Sequence, residues 1–144
     1  MSEYTVYLAD DERIIRDGIA SLIPWKELGL RFTGAAINGL VAYRHILEAE
    51  TPPDIVITDI KMPEMNGIEL IKLTKERYPD MTFIVLSGYG EFEFASQAMQ
   101  HGVRHYLLKP CNETEINEVL GRVVEELERK RSEKSYVKTI EERL

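Results

Sequence analysis

The chain has 144 residues, of which 44% are hydrophobic and 30% charged, and this composition suits one ordinary globular domain with its own core. Its formal net charge of -7 at pH 7 argues against a nucleic-acid surface, because phosphate backbones are bound through clustered Lys and Arg. The first apolar run, residues 4–9, is too short to span a bilayer, and a single cysteine cannot form an internal disulfide. These features predict a soluble, unexported domain of the reducing cytoplasm, with no membrane partner.

Five short apolar runs, rich in β-branched and aromatic residues, alternate with stretches of helical period. The runs are residues 4–9, 32–36, 55–58, 83–86 and 103–108. Such alternation is typical of a parallel sheet covered by helices on both faces. Right-handed crossovers restrict the topology, and the common five-stranded solution is the doubly wound, flavodoxin-like order 2-1-3-4-5. The sequence therefore predicts an α/β fold of five βα units.

The last predicted helix begins near Asn112, and its end is less clear. Residues 128–135 are almost all charged, and a sparse apolar stripe resumes from Tyr136 onward. Two interpretations stay open: a solvated helix end with a frayed tail, or a helix that leads into a second domain or pairs with another copy of the chain. The expected division is a domain over residues 1–128 and a helical extension or linker over residues 129–144.

Polar side chains follow four of the five apolar runs. Asp10 and Asp11 follow the first run, Asp59 the third, Ser87 the fourth and Lys109 the fifth. The carboxyl ends of parallel strands form one edge of the sheet, where open α/β sheets bind ligands, so these side chains are expected to converge. Each has a duller explanation: Asp11 as a helix N-cap, Ser87 as part of a turn, Lys109 as a helix start and Asp59 as a polar strand end. Their joint occurrence favours a site.

Three carboxylates at one edge would raise one another's pKa values unless a cation neutralised them, and carboxylate oxygens suit Mg²⁺. Aspartate is also a nucleophile toward phosphorus, and Asp59 is central because the third strand is central in the predicted order. With Mg²⁺ held by Asp11 and Asp59, Lys109 can pair with one phosphoryl oxygen and Ser87 can donate its hydroxyl to another. The predicted chemistry is phosphoryl transfer onto Asp59.

Several motifs between residues 4 and 128 resemble those of the CheY-like receiver domain of two-component response regulators. In chain order they are Leu8-Ala9-Asp10-Asp11-Glu12, Asp54-Ile55-Val56-Ile57-Thr58-Asp59-Ile60-Lys61-Met62-Pro63, Met65-Asn66-Gly67, Leu86-Ser87-Gly88-Tyr89 and Tyr106-Leu107-Leu108-Lys109-Pro110. The resemblance implies a phosphorylated signalling protein that acts on a transcription-regulating output.

The resemblance also assigns roles at the site. It implies that Asp59 is the phosphoacceptor, that Asp10 and Asp11 with the carbonyl of Lys61 hold Mg²⁺, and that Lys109 senses the phosphoryl group. The Lys109-Pro110 peptide is expected to be cis, as is usual in this family. The expected phosphodonor is a sensor histidine kinase. The domain would catalyse its own loading and slow autodephosphorylation, and would not be a turnover enzyme.

Ser87 and Tyr106 resemble the switch pair of the family, with Ser87 where many members have Thr. The phosphoryl group would draw Ser87 toward it, and Tyr106 would rotate inward from the surface. The surface expected to change comprises the fourth helix, the fifth strand and the last helix, roughly residues 91–127. Family members commonly dimerise through this face, so the resemblance allows a homodimer. Candidate charge pairs for such a dimer are Glu93, Arg104, Glu118 and Arg122.

Residues 23–29 and 87–95 narrow the resemblance to receivers attached to AraC-type DNA-binding domains. The sequence contains no helix-turn-helix domain, so the expectation is a receiver from a longer regulator. Contact with DNA would then occur only through a C-terminal domain that is absent here.

Three other interpretations share part of this pattern. A flavodoxin-type electron carrier needs a Ser/Thr-rich phosphate loop after the first strand, where this chain has Asp10-Asp11-Glu12. A haloacid-dehalogenase-type phosphatase carries a second Asp two residues after its nucleophile, where this chain has Lys61. The stronger alternative is a receiver that acts as a protein-interaction module without phosphorylation, and the intact set of Asp, Ser and Lys residues argues against it.

Overall fold

The computed structural model describes residues 3–143 and forms a five-stranded parallel sheet with helices on both faces. The strands are β1 (Tyr4–Ala9), β2 (Leu30–Ala36), β3 (Ile55–Asp59), β4 (Thr82–Ser87) and β5 (His105–Leu108). The helices are α1 (Arg13–Leu22), α2 (Gly39–Glu48), α3 (Gly67–Arg77), α4 (Phe92–Gln100) and α5 (Glu113–Arg143). The strands lie in the order β2-β1-β3-β4-β5, which confirms the predicted doubly wound, flavodoxin-like fold.

The core consists of two apolar layers, one on each face of the sheet. Successive strand residues alternate between the layers because the side-chain period of a strand is two. In β1, Val6 and Leu8 belong to the layer that contains the buried residues of α1 and α5. Tyr7 and Ala9 belong to the layer that contains those of α2, α3 and α4. Burial on both faces holds the central strands rigidly and fixes the positions of the residues at their carboxyl ends.

The fifth strand is shorter than the sequence predicts. It begins at His105, so the predicted strand residues 103 and 104 are wrong. Val103 instead ends the turn after α4, where its N–H donates to the carbonyl of Ala98 over 3.1 Å and its side chain is buried. Gly102 makes this turn possible, because its φ of 85° is a backbone conformation that residues with a Cβ atom rarely adopt.

Helix α5 is continuous from Glu113 to Arg143 and therefore includes most of the predicted extension after residue 128. The side chain of Asn112 caps its start by accepting the backbone N–H three residues later over 2.9 Å. Arg131 packs over the ring of Tyr4, 5.1 Å from its centroid, and Tyr136 further along is 68% exposed. Residue 144 lies outside the described residues, and the division of the chain at residue 128 stays a prediction.

Among residues 3–143, none of the helices combines the length and the apolar character that a membrane-spanning helix requires.

Candidate functional site

One lysine side chain links the carboxyl ends of β1, β3 and β5. The Nζ atom of Lys109 lies 3.0 Å from Oδ2 of Asp59, 3.2 Å from Oδ2 of Asp10 and 3.7 Å from Oε1 of Glu12. The Lys109-Pro110 peptide is cis, as expected from the family resemblance. Lys109 is not the start of a helix, since α5 begins only at Glu113. The strand ends thus bring the acidic residues and the ammonium group into contact.

The segment that carries Asp10 and Asp11 is held by hydrogen bonds to Asp10. Asp10 is fully buried, its N–H donates to the carbonyl of Ala36 over 3.1 Å, and its Oδ1 accepts the N–H of Glu12 over 2.8 Å. Its backbone carbonyl accepts a hydrogen bond from the guanidinium of Arg16 over 2.9 Å. Asp11 is exposed, and the residue that precedes α1 is Glu12, so the interpretation of Asp11 as an N-cap is wrong.

Asp59 is held by the backbone around the start of α3. Its Oδ1 accepts the N–H of Ile60 over 2.8 Å, and the N–H of Gly67 donates to the carbonyl of Ile60 over 2.7 Å. A Cβ atom on Gly67 would lie 2.1 Å from the backbone oxygen of Asp59, a distance that no side chain tolerates. Glycine at this position therefore allows α3 to begin directly behind the acceptor carboxylate.

The donor set fits a hard divalent cation. One side-chain oxygen from each of Asp10, Asp11, Glu12 and Asp59 lies within 4.8 Å of the others. Oxygens on opposite sides of Mg²⁺ are separated by about 4.2 Å, since each Mg–O distance is about 2.1 Å. Within residues 3–143, the buried Oδ2 of Asp10 has an ammonium neighbour but no well-aligned hydrogen bond, so it can accept a cation. Lys61, whose carbonyl the family resemblance adds to this set, follows Asp59 by two residues.

Burial makes the ionised carboxylates at this site unfavourable in the absence of a metal. It raises the pKa of Asp59 to about 6, although the hydrogen bond from Lys109 opposes this shift. Burial also raises the pKa of Asp10, with Lys109 and the N–H of Glu12 acting in the opposite direction. Burial alone would lower the pKa of Lys109, but its contacts with Asp59 and Asp10 outweigh that effect and raise it. A further cation among these oxygens would favour the ionised carboxylates.

The two residues of the expected switch pair lie on neighbouring strands. Ser87 ends β4, directly after Leu86, which pairs with Asp59 across the sheet, and the carbonyl of Ser87 accepts the N–H of Lys109 over 2.7 Å. Tyr106 is half-buried against the α2–α3–α4 core layer, and its hydroxyl donates to the carbonyl of Val103 over 2.9 Å. The ring is thus already partly inside, which differs from the surface position expected as its starting point.

A cleft of about 410 Å³ lies beside the acidic cluster, lined by residues that include Asp11, Lys61 and Phe94. The ammonium of Lys61 sits 5.8 Å from the centroid of the Phe94 ring, a cation–π contact between the β3–α3 loop and α4. Tyr89, two residues after Ser87, does not line this cleft, and its side chain is 96% exposed.

On the face formed by α4, β5 and α5, Glu126 pairs within the chain. One carboxylate oxygen contacts the guanidinium of Arg104, and the other lies 2.8 Å from Nε2 of His105. Arg104 is one of the residues expected to pair across a dimer, and that pairing stays a prediction. The sequence gives no sign of this contact, because Glu126 lies in a charge-rich part of α5 that a solvated helix face would also explain.

The sequence patterns also do not single out Arg16. The available signal is electrostatic: the first turn of α1 contains no acidic residue, and Arg13 and Arg16 lie near its start. The N-terminus of a helix carries partial positive charge and disfavours cations, so a basic residue there suggests an anionic or carbonyl partner elsewhere in the fold.

Comparison with known proteins places the chain in a family. The family model of the response regulator receiver domain matches residues 6–121. The chain belongs to this family. It is 54% identical over 126 residues to the transcriptional regulatory protein YesN of Bacillus subtilis (strain 168), covering 88% of this chain and 34% of that protein. It is 39% identical over 124 residues to the transcriptional regulatory protein HptR of Staphylococcus aureus (strain NCTC 8325 / PS 47), covering 86% and 48%. The receiver therefore spans less than half the length of these two relatives.

Solved receiver structures share the fold. The REC domain of AraT, a response regulator from Geobacillus stearothermophilus, superposes with a TM-score of 0.83 at 37% identity, covering 89% of this chain and 98% of that one. A two-component transcriptional regulator AraC from Clostridium phytofermentans ISDg gives a TM-score of 0.78 at 32% identity, covering 85% and 94%. The chain is thus a receiver domain of the two-component response regulator family, with relatives named as transcriptional regulators.

Proposed function

We propose that this receiver domain accepts a phosphoryl group on Asp59 from a sensor histidine kinase, with Mg²⁺ as the cofactor. The observation that carries the proposal is the contact of one ammonium group, on Lys109, with both Asp59 and Asp10, at 3.0 and 3.2 Å. A buried acceptor carboxylate, a cation beside it and a set of metal-binding oxygens are what phosphoryl transfer to aspartate requires. Asp10, Asp11 and Asp59, with the carbonyl of Lys61, would hold the ion.

In the proposed reaction, a carboxylate oxygen of Asp59 forms a bond to phosphorus while the bond from phosphorus to the donor's imidazole nitrogen breaks. The electron pair of that bond leaves with the imidazole. Lys109 neutralises charge on the phosphoryl oxygens, and the hydroxyl of Ser87 donates a hydrogen bond to one of them. Bound Mg²⁺ supplies positive charge that offsets the neighbouring carboxylates. The domain catalyses its own loading in this way, and is not a turnover enzyme.

The kinase surface is proposed to be the groove between α1 and α5, of about 680 Å³, which opens beside Lys109. Two apolar side chains of α1 that line it, Ile14 and Leu22, are 87% and 62% exposed. Exposed apolar side chains next to a reactive group suit the docking of an apolar helix face of a partner protein. A cytoplasmic location is part of this proposal.

The proposed output is a change of the surface formed by α4, β5 and α5. Movement of Ser87 toward the phosphoryl group would displace the loop before α4. The hydroxyl of Tyr106, which donates to the carbonyl of Val103 in this structure, would then donate to a different acceptor. This surface would then control a homodimer or a transcription-regulating domain. An AraC-type DNA-binding domain following the extension of α5 is the output that we propose, and DNA contact would belong to that domain alone.

Amide hydrogen exchange tests the switch and separates it from a receiver that acts by contact alone. The wild type and Asp59→Asn would be compared with and without acetyl phosphate and Mg²⁺. The expected result is altered exchange across residues 91–127 in the phosphorylated wild type and none in the variant. Altered exchange in neither protein, or an equal alteration in both, would favour the phosphorylation-independent interaction module.

A further inference from the structure

Arg16 of α1 makes a hydrogen bond that connects this helix to the acidic cluster. Its guanidinium donates to the backbone carbonyl of Asp10 over 2.9 Å, and both residues are shielded from solvent, Asp10 fully and Arg16 partly. We propose that Arg16 is a positioning residue that orients the carboxylate of Asp11 for Mg²⁺ binding. This role rests on the proposed cofactor and extends it to a residue outside the ligand set.

The peptide that joins Asp10 to Asp11 connects the hydrogen bond of Arg16 to the orientation of the Asp11 side chain. Asp10 is anchored at its N–H by Ala36 and at its side chain by Glu12, so its own position is well determined. The plane of the following peptide depends on what its carbonyl accepts, and that partner is Arg16. This plane directs the Cα–Cβ bond of Asp11, whose exposed side chain lacks a hydrogen bond among residues 3–143 that would orient it independently.

Loss of the Arg16 hydrogen bond would therefore act on Asp11 through the backbone. The carbonyl of Asp10 would turn toward water or another donor, and the carboxylate of Asp11 would sample orientations that do not face the cluster. Residues that orient metal ligands typically change metal affinity by about 10- to 100-fold when they are replaced. Because Arg16 provides a single hydrogen bond to a backbone atom, an effect of about tenfold is expected.

The sign of the effect separates positioning from simple electrostatics. Arg16 carries a positive charge near a site that binds a cation, so the removal of that charge should by itself strengthen Mg²⁺ binding. Loss of orientation should weaken it. A residue that acted only through its charge and a residue that positions Asp11 therefore give opposite changes in the dissociation constant.

The test measures the dissociation constant of Mg²⁺ directly, by titration of the unphosphorylated domain followed through backbone amide NMR shifts. Arg16→Leu and Arg16→Met both remove the charge and every side-chain donor, and the dispersion of each spectrum reports whether the variant is folded. Arg16→Lys keeps the charge and a donor. Arg13→Gln is the matched control, because Arg13 lies on the same helix, is 84% exposed and pairs with Asp17 at 3.4 Å.

The expected result is a dissociation constant about tenfold higher in Arg16→Leu and Arg16→Met, with most of the affinity retained in Arg16→Lys. In Arg13→Gln it should be unchanged or slightly lower. An unchanged or lower constant in the donor-free variants, or equal weakening in Arg13→Gln, would overturn the role of Arg16 while leaving the cofactor intact. A wild type without any Mg²⁺-dependent shift would overturn the proposed cofactor, and this role with it.

Discussion

In the absence of metal, the carboxylate of Asp59 lowers the stability of the fold. Its side chain is 7% exposed, and burial raises its pKa to about 6 against the opposing hydrogen bond from Lys109. The pKa of an aspartate in an unfolded chain is about 3.9, and a difference of about two units corresponds to about 3 kcal/mol. Because the folded-state pKa is the higher one, the stabilisation from protonating Asp59 is complete below about pH 4 and is lost as the pH rises through about 6.

Replacement of Asp59 by Asn removes the charge while its side-chain oxygen can still accept the N–H of Ile60, a contact of 2.8 Å. The variant also loses the contact with Lys109, which retains Asp10 at 3.2 Å. The pKa of about 6 already includes the attraction of Lys109, so the gain expected near pH 7.5 without divalent ions is the full difference of about 3 kcal/mol. At about pH 4, where the wild-type carboxyl is protonated, the two proteins should have nearly equal stability.

Urea denaturation in the presence of a chelator, repeated across this pH range, measures the difference. Asp17→Asn is the matched control, since that side chain is 70% exposed on α1 and its replacement should leave the pH dependence unchanged. An Asp59→Asn variant that is less stable than the wild type near pH 7.5, or a stability difference that does not vary with pH, would show that the buried carboxylate does not destabilise the fold.

Two further predictions concern the surroundings of Asp59. Gly67→Ala should lower the free energy of unfolding by about 3 kcal/mol, because its Cβ would lie 2.1 Å from the Asp59 carbonyl oxygen. The control Gly121→Ala, with no atom within 4 Å of its Cβ, should raise it by about 0.5–1 kcal/mol, and equal urea midpoints would contradict this account. Lys61→Ala should shorten the lifetime of the aspartyl-phosphate, since Lys61 lines the cleft at the site. Tyr89→Ala should leave the lifetime unchanged because Tyr89 is 96% exposed, and the opposite ranking in a phosphate-release assay would refute the geometry.

The strand order and the convergence of the site residues were predictable from two features of the sequence: the spacing of apolar residues and the polar residues that end or follow the strands. The five apolar runs that form the strands are recognisable by residue type, and right-handed crossovers restrict the strand order to a few solutions, of which 2-1-3-4-5 is a common one. The meeting of Asp10, Asp59 and Lys109 then follows from that order alone, because each residue ends a strand or directly follows one. No contact had to be known in advance.

Some details of burial were not predictable from the sequence. An apolar residue can lie in a strand or in a buried turn, and an apolar residue at the end of a helix can face the core or the solvent. Val103 is buried in the turn after α4, although its apolar character suggested a strand. Leu22 belongs to the apolar pattern of α1 but is 62% exposed, because the helix ends there and Ile23 turns inward instead. The hydrogen bond from Arg16 to Asp10 depends on the position of α1 over the site, which only the assembled fold defines.

Intact-protein mass spectrometry can show whether Asp59 accepts a phosphoryl group with the help of Mg²⁺. The wild type would be treated with acetyl phosphate and Mg²⁺ beside a chelated sample and the Asp59→Asn variant. Phosphorylation of Asp59 is expected to add one phosphoryl group, about 80 Da, and only to the wild type with Mg²⁺. A gain of the same size in the Asp59→Asn variant, or no gain in the wild type, would contradict it.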